Sequence, residues 1–164
     1  MTLVLGGARS GKSRHAEALI EAETGPWTYI ATAQAFDDEM HERIAQHRAR
    51  RGGGWRTVDA PLELGRAIAA GDGSPVLVDC LTLWLTNVVL AERDVAAERA
   101  ALVEACRNAA GPLVLVSNEV GFGIVPENAL ARRFRDEAGR LHQELAAIAD
   151  RVVLVVAGIP MQVK

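Results

Sequence analysis

An α/β fold, with a mostly parallel central sheet flanked by helices, follows from three features of the sequence. Short apolar runs alternate with longer stretches of helical period from one end of the chain to the other. Three of those runs, at 76–78, 113–116 and 152–156, are continuously apolar, the pattern of strands covered on both faces. The first run also passes into a glycine-rich turn that opens directly into a helical pattern. The 164 residues suffice for one hydrophobic core, and no repeat or long linker divides them. Residues 1–164 are therefore expected to form a single domain.

The first strand is expected at 2–7 (TLVLGG), with a helix at 11–23 after the glycine turn. A second strand at 28–33 (TYIATA) precedes a helix at 37–51, where Asp37 and Asp38 suit an N-cap and the helix dipole. A third strand at 55–60 (WRTVDA) follows the glycines at 52–54, and a helix at 62–70 stops before Gly71. The strand at 75–81 (PVLVDCL) leads to an apolar helix at 82–92, then to one rich in alanine and charge at 94–109. A strand at 112–120 (PLVLVSNEV) runs through a loop containing Pro126 into the longest helix, 129–149. The last strand is expected at 151–158 (RVVLVVAG). The three continuously apolar runs are expected to be the central strands.

A net charge of −3 gives no reason to expect nucleic acid as a partner. Cys80 and Cys106 lack metal or redox spacing and read as reduced core residues. No apolar run is long enough to span a bilayer, and no leader pattern is evident, so the expected location is the cytoplasm.

The turn GGARSGKS contains Gly6, Gly7, Ala8, Arg9, Ser10, Gly11, Lys12 and Ser13, and matches G-x-x-x-x-G-K-S between a strand and a helix. Its glycines let backbone N–H groups turn inward around phosphate oxygens, and the following helix N-terminus adds a favourable dipole. Lys12 is expected to neutralise β/γ-phosphate charge and Ser13 to ligate Mg²⁺. Asp79, ending an apolar strand, fits the acidic partner that completes the metal site, and the same residue could also cap the next helix. The domain is thus expected to be of the P-loop NTPase type, and a small-molecule kinase is the default activity. No N-K-x-D guanine motif is present.

One histidine invites a second chemistry. In the helix at 37–51, Met40, Ile44 and His47 share a stripe, with Phe36 as a possible staple, so His47 could simply edge the core. Arg48, Arg50 and Arg51 suit a helix C-terminus, but three within four positions exceed what capping requires. An imidazole facing a polyphosphate among arginines could instead attack phosphorus. His41 points to another face, and His15 and His142 read as structural.

The stretches GGARSGKSRHAEALI (6–20), YIATAQAFDDEMHERIAQHR (29–48), WRTVDAP (55–61), VLVDCLTLWLTN (76–87), VLVSNEVGFGIVPENALARRFRDEAGRLHQ (114–143) and VVAGIPMQVK (155–164) cover nearly the whole chain. They resemble the bifunctional adenosylcobinamide kinase/adenosylcobinamide-phosphate guanylyltransferase family of cobalamin assembly. The resemblance implies phosphorylation of adenosylcobinamide with ATP or GTP. It implies a second reaction, transfer of GMP from GTP onto that phosphate through a guanylylated histidine, at the position of His47. Some relatives carry two adjacent histidines there, where this chain has Gln46. The resemblance also brings Thr32, Ala33 and Asp59 to the nucleotide site, Asp59 standing where relatives commonly have Glu, and implies a homo-oligomer, plausibly a trimer. The loop SNEVGFGIVPE (117–127) is a candidate wall for the corrinoid or the nucleotide. Two other functions fit the motif alone: a simple phosphate-loop kinase, and a nucleotide-dependent binding module.

Overall fold

A computed structural model describes residues 1–34 and 52–164, so the expected helix at 37–51 lies outside the described residues. In chain order the elements are β1 (Thr2–Gly6), α1 (Lys12–Glu21), β2 (Trp27–Ala31), β3 (Trp55–Asp59), α2 (Leu64–Ala69), β4 (Val76–Asp79), α3 (Leu81–Leu90), α4 (Val95–Arg107), β5 (Leu113–Asn118), α5 (Ala129–Ile148), β6 (Arg151–Val156) and β7 (Ile159–Gln162). The seven strands form one sheet in the order β3-β2-β4-β5-β1-β6-β7. Every pairing is parallel except the antiparallel β6–β7 pair at one edge.

Strand alternation divides the core between the two faces of the sheet. Val76, Val78, Leu113, Leu115 and Val152 join a buried cluster with Leu64, Trp84, Leu85, Leu102, Leu141 and Leu145, contributed by α2, α3, α4 and α5. Leu77, Val114, Val116, Val153 and Val155 join Ala16 and Ile20 of α1 on the opposite face. That two-sided burial is why these strands read as unbroken apolar runs. The helices carry their own start signals. Asp94 caps α4 by accepting from Ala96 N and Ala97 N at 3.0 and 3.2 Å, and Asn128 caps α5 by accepting from Ala131 N at 3.1 Å. Arg99 of α4 then ties α4 to α5 through Glu137 and through Glu144 at 2.9 Å.

Three expectations change. The apolar runs of β4 and β5 are interior, but β1 separates β5 from the third run, β6, so β1 replaces it at the centre. The expected strand at 151–158 stops at Val156, because Ala157 and Gly158 turn the chain with φ of 51° and 81°. The reversal starts β7, an edge strand of exposed residues that includes Pro160 and that no periodicity announced. The expected strand at 75–81 ends at Asp79, and Leu81 already begins α3.

Two threonines bind the carboxyl ends of the parallel strands together. Thr32, fully buried just past β2, donates its hydroxyl to Cys80 O at 2.7 Å and accepts from Cys80 N at 2.8 Å. Thr82 Oγ1 accepts from Asn118 Nδ2 at 3.1 Å, linking the starts of α3 and the loop after β5. Asn87 of α3 donates to Thr32 O and Pro61 O at 2.8 and 3.0 Å. Replacing Thr32 with Val keeps the shape but strands the buried N–H of Cys80, at about 1–3 kcal/mol, while Cys80 O keeps its bond from Trp84 N at 3.2 Å. The Thr32→Val variant is expected to lose about 1–3 kcal/mol, read as a lower urea midpoint at unchanged m-value.

Candidate functional site

The phosphate-loop residues occupy the turn between β1 and α1, at the carboxyl edge of the sheet where open α/β sheets bind ligands. Its glycines have specific reasons. A Cβ on Gly6 would stand 2.5 Å from Ser10 Oγ and 2.6 Å from Val155 O. Gly11, the residue before α1, has φ of +94°, and a Cβ there would meet Gly158 Cα at 3.2 Å. Gly158 N donates to Ser10 O at 2.8 Å, so the β6–β7 turn braces the loop from outside. Gly7, Ala8 and Arg9 form the exposed tip, with Arg9 in the left-handed region at φ 55°. Lys12 is buried at the first turn of α1, and its Nζ donates to Gly7 O at 3.1 Å, which draws the ammonium back over the loop. Ser13 follows it on the same turn.

Asp79 ends β4 beside the loop strand's neighbour: β5 intervenes between β1 and β4. The N-cap position of α3 is Cys80, and Asp79 Oδ2 is buried without a hydrogen-bond partner, so capping does not explain this carboxylate. Burial, and secondarily the neighbouring Asp79 charge, push the Cys80 thiol up to about 11, which keeps it protonated and inert. Burial likewise pushes Cys106 up to about 12.

The remaining expected residues fall into three groups. Thr32 is fully buried with its hydroxyl engaged on both sides by Cys80; its side chain is a strut behind the site rather than a surface facing a ligand. Ala33 follows it, half-buried. Asp59 ends β3 at the rim of an open cleft of about 450 Å³ that Pro61, Leu62, Glu63 and Arg66 also line. Four strand spacings separate β3 from β1, about 19 Å at ~4.8 Å each. Asp59 thus lies well away from the phosphate loop along the same edge. His47, Arg48, Arg50 and Arg51 lie outside the described residues.

A polar group forms at the end of β5 from two residues of the candidate wall 117–127 and from His142 of α5. Ser117, fully buried, lies 2.7 Å from His142 Nε2, and His142 Nδ1 faces Glu119 Oε2 at 3.8 Å. Burial holds the His142 pKa below the ordinary 6.5, with the Glu119 charge opposing. The structural reading of His142 fits its contacts, but its alignment with Ser117 and Glu119 comes from α5 folding back over β5, which no local motif encodes.

Residues 2–163 match the model of the family described as cobinamide kinase / cobinamide phosphate guanyltransferase. The chain belongs to this family. A curated relative from Pseudomonas aeruginosa, named bifunctional adenosylcobalamin biosynthesis protein CobP, is 53% identical over 99% of this chain and 96% of its own length. The CobU proteins of Salmonella typhimurium and Escherichia coli, also named as bifunctional adenosylcobalamin biosynthesis proteins, are each 47% identical over 100% of this chain and 99% of their own. Among solved structures, a Pyrococcus horikoshii OT3 structural-project protein superposes with a TM-score of 0.56 at 9% identity, covering 100% of this chain and 85% of its own. The VirB11 ATPase of the Brucella suis type IV secretion system gives 0.51 at 13% identity, covering 99% and 48% respectively. At such identities these two speak for the α/β fold alone. No helix among the described residues of this cobinamide kinase family member is long and apolar enough to cross a membrane.

Two outcomes follow from the geometry. Gly11→Ala forces a side chain into the left-handed region and against Gly158, at about 1–2 kcal/mol. It is expected to weaken nucleotide binding at least about tenfold, read by equilibrium titration. For His142, the unfolded chain takes up a proton that the folded chain refuses, so stability falls as pH drops below 6.5 towards the lower folded value. His15, also lowered by burial and by Arg151, adds to the same slope. Urea midpoints between about pH 8 and 5 should show that slope, and His142→Gln should flatten it in part.

Proposed function

We propose that this chain phosphorylates the hydroxyl of the aminopropanol arm of adenosylcobinamide with ATP or GTP. It then transfers GMP from GTP through His47 onto that phosphate, giving adenosylcobinamide-GDP and pyrophosphate. The observation that carries the reading is the family match over residues 2–163, in a chain whose strand–loop–helix turn has the composition and backbone of a phosphate cradle. The whole chain, 1–164, acts as one domain in this reading.

In the kinase step the hydroxyl oxygen attacks the γ-phosphorus, the bond to the bridging oxygen breaks, and the nucleoside diphosphate leaves. Backbone N–H groups of Gly6 through Ser13 hold the phosphates, and Lys12 neutralises the charge that develops on them. Ser13 and Asp79 are the residues that would hold Mg²⁺. The buried, unpartnered Oδ2 of Asp79 fits a hard cation, as does a site with few protein carboxylates that leaves room for phosphate oxygens. Bound there, the ion supplies positive charge to the phosphate oxygens.

In the second reaction a neutral His47 imidazole attacks the α-phosphorus and pyrophosphate leaves. An oxygen of the corrinoid phosphate then attacks the same phosphorus and frees the imidazole, so one difficult transfer becomes two easier ones. Arg48, Arg50 and Arg51 would pair with phosphate oxygens. In this reading Asp59, at the far end of the carboxyl edge, serves the nucleoside end of GTP, with the backbone at Thr32 and Ala33 between it and Asp79. The enzyme is a homo-oligomer in this reading, a trimer, and the exposed Ile159, Met161 and Val163 at the β7 edge give such an assembly an apolar surface to cover. A cytoplasmic location fits its use of ATP and GTP.

With Mg²⁺ and GTP labelled at the α-phosphate, the wild-type protein should acquire a covalent label stable to alkali and lost in acid, as a phosphoramidate is. The His47→Ala variant should acquire none while still phosphorylating adenosylcobinamide. A label retained in that variant would remove His47 from the mechanism.

A further inference from the structure

The Ser117–His142–Glu119 group lies outside the phosphate cradle, yet it ends beside it. Ser117 Oγ and His142 Nε2 are 2.7 Å apart, and the tautomer that serves both neighbours has Nε2 accepting from Ser117 and Nδ1–H turned to Glu119. The other carboxylate oxygen of Glu119, Oε1, accepts from Gly121 N at 2.6 Å. Gly121 makes that approach possible, since a Cβ there would stand 2.8 Å from Oε1. The Glu119 side chain is therefore held by a loop N–H on one side and faced by a buried histidine on the other, and it remains 18% exposed.

Its position gives this orientation a purpose. Glu119 is the first residue past β5, the strand between β1, which carries the phosphate loop, and β4, which ends in Asp79. Its N–H donates to Gly6 O at 3.0 Å, so its backbone abuts the first residue of the loop. A phosphate held by the loop would have Glu119 beside the loop's first residue. Of the other described carboxylates that end sheet strands on this edge, Asp79 is the metal candidate and Asp59 is four strand spacings from β1.

We propose that Glu119 is the base of the kinase step, with His142 and Ser117 as its positioning residues. The proposal rests on the kinase reading above. As the corrinoid hydroxyl oxygen forms its bond to the γ-phosphorus, its proton passes to the Glu119 carboxylate, and the nucleoside diphosphate departs with the electrons of the broken bond. The guanylyl transfer makes no such demand, because its acceptor is a phosphate anion with no proton to lose. One residue therefore separates the two activities of a shared nucleotide site.

The test measures both reactions in the same preparations. Glu119→Gln is expected to lower kcat for adenosylcobinamide phosphorylation by about 10²-fold or more, the usual worth of a general base. Formation of the GMP adduct, and its transfer to adenosylcobinamide already phosphorylated by chemical means, should stay within about twofold, which also reports that the variant is folded. Glu119→Asp, a carboxylate one methylene shorter, should recover part of the lost rate. His142→Gln should lower the phosphorylation kcat about tenfold, with KM for nucleotide and adduct formation unchanged. Wild-type phosphorylation by Glu119→Gln overturns the proposal, and so does an equal loss of both reactions, which would make Glu119 part of the common nucleotide site. A wild-type enzyme that phosphorylates no adenosylcobinamide overturns the kinase reading itself, a result distinct from either.

Discussion

The phosphate loop sits at the carboxyl ends of parallel strands, and there two buried hydroxyls tie β2 to the β4–α3 junction and α3 to β5. Backbone ladders align the strands only as far as the last paired residues, Ala31 with Asp79 and Gly6 with Asn118. Beyond them the chain must leave the sheet, and its peptide groups lose their ladder partners. Thr32 satisfies both backbone groups of Cys80 where β4 turns into α3, and Thr82 receives the side chain of Asn118. A short rigid hydroxyl suits this work because it can donate and accept at once and loses little rotamer freedom.

On the same edge, Asp79 Oδ2 shares with Ser10 Oγ of the phosphate loop the state of a buried polar atom without a hydrogen-bond partner. Around it, the hydroxyls of Thr32 and Ser117 and the amide of Asn87 have partners in the protein. Asp79 Oδ2 does not. A buried carboxylate oxygen without a donor is costly in a folded protein, and a cost retained at the mouth of a phosphate cradle is the mark of a position suited to a cation rather than to packing. Thr32 and Asp79 therefore differ in kind, though only two residues past Ile30 and one past Val78 on adjacent strands. One closes its bonds within the fold, and the other leaves one open.

Most of the architecture was legible because its signals are local. Unbroken apolar runs reported two-sided burial in β4, β5 and β6, and the phosphate loop is a contiguous motif whose glycines answer to contacts with Ser10, Val155 and Gly158. What escaped was set by distant contacts. Strand order does not follow from strand hydrophobicity, so β1 took the central place instead of β6. β7 is exposed along its length and contains Pro160, so neither period nor propensity marks it; the turn at Ala157 and Gly158 makes it. Thr32 was placed at the site through resemblance, whereas its bonds to both backbone groups of Cys80 depend on a contact across 48 residues that no local motif encodes. Ser117, Glu119 and His142 are 25 residues apart at their extremes and meet only because α5 returns over β5.

A single cradle that serves two transfers must hold its phosphates alike in both while supplying different help at the acceptor. Attack at the γ-phosphorus by an alcohol produces a proton, whereas attack at the α-phosphorus by a neutral imidazole, and then by a phosphate anion, calls for a nucleophile that is already unprotonated. The cradle itself, Gly6 to Ser13 with Asp79, is indifferent to this distinction, because it answers to phosphate charge. The distinction has to reside in groups that reach the acceptor from outside the cradle. In the reading proposed above, they are His47, which falls in the sequence between β2 and β3, and Glu119, which begins the loop between β5 and α5. The sheet fixes the phosphate chemistry, and the two long connections can then differ in the acceptor chemistry they bring to it.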